Sequence, residues 1–322
     1  MIVGQERAVA QFTAAWGGRK IHHAWLLAGP RGVGKATFAR AAARRILADA
    51  AGPPVELPEL DTPSEHPIVK LVDAGSHPDM RWLERLANEK GNLNRNIKVD
   101  QIRELAEFVS LSAAMSPWRL IVVDSADDLE RSAANALLKM LEEPPANTIF
   151  LLVSHAPGRL LPTIRSRCRQ LHFEALGDDA MASILEAHSP GLSAAERKRI
   201  VGMSFGSAGR ALAFAELGLA KLEEAALAIL RQGDPTNARR SELASELGKK
   251  GSADRYAAFL ELAPSLIARE ARTMRGAPLE RALDAYAKAR ELAAVAPRVS
   301  LDAAATVFQI GGILASVPEP LP

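Results

Sequence analysis

No feature of this chain constrains its fold more than the seven residues Gly29-Pro30-Arg31-Gly32-Val33-Gly34-Lys35, set between a short apolar run at 24–28 and a helical pattern from Lys35 to about residue 48. Three glycines in seven positions break both helix and strand, so the stretch reads strand, loop, helix. That order is what a phosphate-binding loop requires. The glycines let consecutive backbone N–H groups point at phosphate oxygens, the helix N-terminus adds its positive end, and the lysine reaches the β- and γ-phosphates. Gly29, Gly32, Gly34 and Lys35 are therefore candidate nucleotide-binding residues. The next residue departs from the pattern. Ala36 stands where a Ser or Thr places its hydroxyl on Mg²⁺, and Thr37, about 100° further round the helix, cannot replace it.

A second uninterrupted apolar run, residues 120–123, ends in Asp124 and has the look of a strand buried on both faces of a parallel sheet. Asp124 is the candidate Mg²⁺ carboxylate. Its successor is Ser125, which has no pKa near 7 with which to take a proton from water. Further strands are expected at 80–86, 149–153 and 170–173, with amphipathic helices over 99–113 and from a Ser132 cap to the Pro144-Pro145 stop. Residues 49–67, rich in Pro, Glu and Asp, read as a surface insertion in which nothing packs. After Glu174 strand signals end. A small helical unit follows, then longer helices broken at Gly233-Asp234-Pro235, Gly251, Gly276-Ala277-Pro278 and Pro297. The expected division is 1–175, 176–212 and 213–322.

Composition narrows the function. Forty basic against thirty-eight acidic residues give +2, which excludes a nucleic-acid protein working by bulk charge. The only cysteine, Cys168, excludes an internal disulfide and a multi-thiolate zinc site, fits a reducing compartment such as the cytoplasm, and reads as a packing residue. No leader is readable at the start, and no apolar stretch reaches the roughly 18 residues of a membrane span.

The loop from Gly29 to Lys35 is accompanied by Asp124-Ser125-Ala126-Asp127, Ala133-Ala134-Asn135-Ala136-Leu137-Leu138-Lys139, Leu141-Glu142-Glu143-Pro144-Pro145 and Ser166-Arg167-Cys168. Gly4-Gln5-Glu6, His23-Ala24-Trp25-Leu26-Leu27 and Gly206-Ser207-Ala208-Gly209-Arg210-Ala211 add to the set. In order and spacing this resembles the AAA+ clamp-loader subunits of bacterial DNA polymerase III, densely over residues 2–212. The resemblance implies an α/β fold: an AAA+ P-loop domain with a parallel sheet, a small helical lid and a C-terminal all-α collar that oligomerises. It implies a hetero-pentamer with ATPase subunits of gamma/tau type and a delta-type subunit, which opens a sliding clamp and sets it on primed DNA. It also implies that Arg167 reaches in trans into a neighbour's nucleotide site, that Ser154 or His155 senses phosphate, and that Arg210 contacts nucleotide from the lid.

With the hydroxyl and the base both missing, the chain's own ATP hydrolysis is expected to be negligible, and whether it holds ATP at all stays open. An active P-loop ATPase of another AAA+ type is the alternative: Lys35 and Asp124 speak for it, Ala36 and Ser125 against. Direct DNA binding as the main role gains little from the balanced charge. The four-cysteine zinc module common in such subunits has no counterpart at residues 49–79, so no zinc is expected.

Overall fold

The structure, a computed structural model, describes residues 2–18, 21–87 and 93–318. It divides into two compact units, Met1–Ala180 with Gly206–Gly209, and Met181–Phe205 with Arg210–Pro322. The first unit is built in the order α1 Glu6–Gly17, β1 Ala24–Ala28, α2 Lys35–Ala51, α3 Pro67–Asp73, β2 Met80–Leu83, α4 Val99–Ser110, β3 Arg119–Asp124, α5 Arg131–Glu142, β4 Thr148–Ser154, α6 Pro162–Ser166 and β5 Arg169–His172. The strands form one sheet in the order β2-β3-β4-β1-β5, every pair parallel.

The apolar runs are continuous because both faces of this sheet are covered. Strand side chains alternate between faces. Trp25, Leu27, Leu120, Val122, Ile149 and Leu151 join a core with α1 and α2, whereas Leu26, Ile121, Val123, Phe150 and Leu152 join one with α4 and α5. Asp79 fixes the crossing into β3. Its carboxylate accepts from the N–H groups of Ala114, Met115 and Ser116 at 2.6, 2.7 and 2.8 Å. Burial alone would raise that carboxyl, and the three bonds hold it below its ordinary value.

Four expectations change. Strand β2 ends at Leu83 instead of 86. Ser132 does not cap α5: the N-cap is Glu130, which accepts from the Ser132 hydroxyl at 2.6 Å. Helix α4 stops at Ser110 instead of 113, because Leu111 turns to extended backbone. Residues 49–67 are not a loose insertion. The Arg45 guanidinium donates to the carbonyls of Leu57 (2.6 Å), Asp61 (3.3 Å) and Val55 (3.5 Å), Leu60 is buried in the α2-side core, and His66 caps α3 by accepting from Ile68 N at 3.3 Å.

Helix α7, Asp178–His188, leads from the first unit into the second, which holds α8 Ala194–Ser204, most of α9 Ala208–Glu216, α10 Leu219–Gln232, α11 Ala238–Leu247, α12 Ala253–Ala271, α13 Ala277–Val295 and α14 Ala303–Ala315. No strand occurs among its described residues. The interruptions fall where Gly and Pro predict them: Gly233 ends α10 and Pro278 starts α13. No helix among the described residues is long and apolar enough to cross a membrane. Gly311 and Gly312 in α14 leave a notch that Arg240 of α11 occupies. A Cβ on Gly311 would stand 2.5 Å from Arg240 Cβ. Gly311→Val is therefore expected to cost about 1–3 kcal/mol by overpacking, seen as a lower melting temperature, while Gly177→Ala, where a Cβ meets open space, leaves it unchanged.

Candidate functional site

Loop 29–35 leaves the C-terminal end of β1, and its glycines are forced by what touches them. A Cβ on Gly29 would fall 2.1 Å from the carbonyl oxygen of Phe173, and one on Gly32 would fall 2.2 Å from Ser207 Oγ. Gly34, at φ +98°, caps α2 in the left-handed region that glycine adopts without strain. The loop is held from two sides. Gln5, itself buried, donates to Val33 O at 3.2 Å and Glu174 O at 2.9 Å, and Gly209 N donates to Gly32 O at 2.9 Å. Gln5 thus explains the Gly4-Gln5-Glu6 motif, whose role the sequence alone does not disclose.

Lys35 is 2% exposed. Its Nζ donates to Gly29 O at 2.6 Å and also to Pro30 O, which uses two of three ammonium donors and leaves one for a phosphate oxygen. Burial pulls this ammonium down to about 8, against the attraction of Asp127 and Asp124. The first-turn N–H groups of α2 have no intrahelical acceptor, so loop, lysine and helix end together fit the phosphates of a nucleotide.

The magnesium side is poorer. Asp124 ends β3 near Lys35, and burial followed by the neighbouring Glu84 carboxylate pushes its pKa up. Ala36 adds no oxygen, and Thr37 is exposed on the next face of α2. Ser125 is 4% exposed, and its hydroxyl donates to Asp128 Oδ2 at 3.2 Å, with Arg85 on the same carboxylate at 3.3 Å. Among the described residues no three His, Cys, Asp or Glu side chains gather as metal ligands.

Asp127 organises the end of β4, accepting from Ser154 Oγ at 2.9 Å, His155 N at 2.5 Å and Ala156 N at 3.1 Å. This separates the two candidate phosphate sensors. Ser154 is fully buried and spent on Asp127, whereas His155 borders a cleft with Arg31, Asp124 and Ser125, its pKa lowered by burial and then by Lys35.

Arg167 lies at the other end of the sheet. Strand β5 runs parallel to β1 with Arg169 opposite Trp25, four residues or about 13 Å before Gly29 at 3.3 Å per residue, and the turn that holds Arg167 precedes that strand. Its Nη1 donates to Thr163 O at 3.1 Å and its Nη2 pairs with Glu142 at 2.6 Å. Neighbouring Cys168 packs against the α5-side core, and burial pushes its thiol up to about 12, so it stays protonated and unreactive near neutral pH. In the second unit, Arg210 donates to Glu261 at 3.1 Å and lies over the Phe214 ring.

The family described as DNA polymerase III, delta subunit, matches residues 4–177. The delta-prime subunit of DNA polymerase III from Pseudomonas aeruginosa is 38% identical over 195 residues, 59% of this chain and 55% of that one. The Escherichia coli delta-prime subunit is 35% identical over 209 residues, 65% of this chain and 58% of that one. A gamma/tau subunit from Mycobacterium bovis is 34% identical over 193 residues, 57% of this chain and 30% of that one. The chain thus spans little more than half the length of the delta-prime relatives it matches. With a P-loop on an all-parallel β2-β3-β4-β1-β5 sheet, and a family match over more than half of its residues, this chain belongs to the DNA polymerase III delta-subunit family of AAA+ clamp-loader subunits.

Proposed function

We propose that this chain is a delta-prime-type subunit that helps a clamp loader set the sliding clamp on primed DNA, giving Arg167 in trans to a neighbouring ATPase subunit while hydrolysing little or no ATP itself. One observation carries this reading. The arginine segment lies before the start of β5, at the end of the sheet opposite the chain's own phosphate loop, while beside that loop Ala36 and Ser125 stand where hydrolysis needs a hydroxyl and a base. A donor far from its own nucleotide serves someone else's. The partners on this reading are gamma/tau-type ATPase subunits, a delta-type subunit, the clamp and, through the complex, primed DNA, in a hetero-pentamer in the cytoplasm. The three-part division at 175 and 212 goes with it, residues 176–212 acting as lid, with Arg210 as the lid arginine that the resemblance implies, and 213–322 as collar. ATP, when bound, supplies only its phosphates and base as a ligand here. Gly29, Gly32, Gly34 and Lys35 would hold the phosphates, and Asp124 would face any magnesium.

The test is reconstitution with gamma/tau-type and delta-type subunits. Clamp loading on primed DNA should depend on adding this chain, and loading at the same rate without it would refute the reading. The purified chain alone should turn over ATP far below the roughly 1 per second of a slow enzyme, because loss of a general base alone costs about 10² to 10⁴ in rate. Turnover at that ordinary rate would favour the active-ATPase alternative. Ala36→Ser should raise Mg²⁺-dependent nucleotide affinity. Ser125→Glu should not, since it would force a carboxylate beside Asp124, Asp128 and Glu84.

A further inference from the structure

Two stretches far apart in sequence meet at the end of the sheet opposite the phosphate loop. Glu142 is the last residue of α5, and Arg167 follows the last residue of α6. Their side chains pair at 2.6 Å, and the same guanidinium donates to Thr163 O in the first turn of α6. Arg167 is thereby held from two elements. Of its five N–H donors two are engaged, and Nε–H and one hydrogen on each terminal nitrogen stay available. A phosphate oxygen from a neighbour can be met without breaking either contact.

We propose that Glu142 is a positioning residue for Arg167, fixing the guanidinium plane so that its free donors face outward toward the neighbouring subunit's nucleotide. This rests on the assignment of Arg167 as a donor in trans. An unheld arginine spreads over many rotamers and must be ordered at each encounter, so a carboxylate that holds it beforehand removes that cost from the step where charge develops on the phosphoryl group. The pair is partly solvent-exposed, at 35% and 41%, so its worth to folding is small, and an effect of Glu142 on rate would not be an effect on stability.

The experiment is a double-mutant cycle in the reconstituted complex, reading clamp- and DNA-stimulated ATP hydrolysis, with assembly checked by gel filtration. Glu142→Ala should lower the stimulated rate by about 3- to 10-fold, and Glu142→Gln, which keeps an acceptor oxygen, by less. In an Arg167→Ala background the further change Glu142→Ala should do nothing, since nothing is left to position. A structural role would instead lower the rate in both backgrounds. If Arg167→Ala lowers the rate while Glu142→Ala leaves it unchanged, raises it or adds independently, the positioning role is wrong and the arginine assignment stands. If Arg167→Ala itself has no effect, the assignment of the arginine fails and the positioning role falls with it.

Discussion

A reconstituted clamp loader carrying Arg167→Ala in this chain is expected to lose about 10³- to 10⁵-fold in ATP hydrolysis at the site the arginine serves, a barrier increase of roughly 4–7 kcal/mol. The size follows from the chemistry of the guanidinium. It is charged at every physiological pH and offers paired donors that match phosphate oxygens, so it meets the charge spreading over the transferring group with little reorganisation. Arg167→Lys should recover little, because an ammonium is a point charge without the fork. Folding, assembly and nucleotide binding by the chain's own loop should be untouched, since Arg167 lies before β5, at the opposite end of the sheet from that loop. Rapid-quench measurement of clamp- and DNA-stimulated hydrolysis decides it, and a wild-type rate in an assembled complex would reduce Arg167 to a surface charge.

The largest effect on stability is expected at Phe38. It is fully buried one turn into α2, and its ring stands edge-to-face with Phe12 at 5.4 Å and with Phe173 at 5.2 Å, while Phe12 in turn meets Trp25 at 5.0 Å. Four rings thus join α1, β1, α2 and the segment after β5. Phe38→Ala should cost about 3–5 kcal/mol, from lost burial, a cavity and two aromatic contacts, and lower the melting temperature by about 6 °C or more. Phe38→Leu, closer in volume, should lose much less. A shift below about 2 °C for the alanine variant would mean that the surroundings collapse into the space.

What the sequence discloses and what it withholds have physical causes. The sheet is legible because strands covered on both faces become unbroken apolar runs, as at 120–123 and 149–153, and the phosphate loop is legible because its backbone tolerates only glycine at set positions. The helix breaks at Gly233 and Pro278 are legible for the same local reason. Helix α3 is not, since its seven residues are too few to show a period and its cap is an uncommon histidine. Nor is the tethering of residues 49–67, which depends on one arginine of α2 reaching three carbonyls of a segment that looks unstructured by composition. Glu142 escapes notice for a related reason. Its partner is 25 positions away and is met only when α5 and α6 are both docked on the sheet.

On the proposed role of Arg167, its placement at the opposite end of the sheet from the phosphate loop also bears on symmetry. A two-fold contact would make the exchange reciprocal, each partner giving its arginine to the other's loop and receiving one in return. A chain whose own loop lacks the hydroxyl and the base gains nothing from such an exchange, so the proposed role fits a heterologous, head-to-tail contact, in which each copy of the fold has a giving end and a receiving end. A ring of such subunits passes that contact around from one to the next, and a member whose receiving end has lost its hydroxyl and base still gives without needing to be served. On the proposed function, such a member is suited to the terminal place in the series, where the direction of the ring begins.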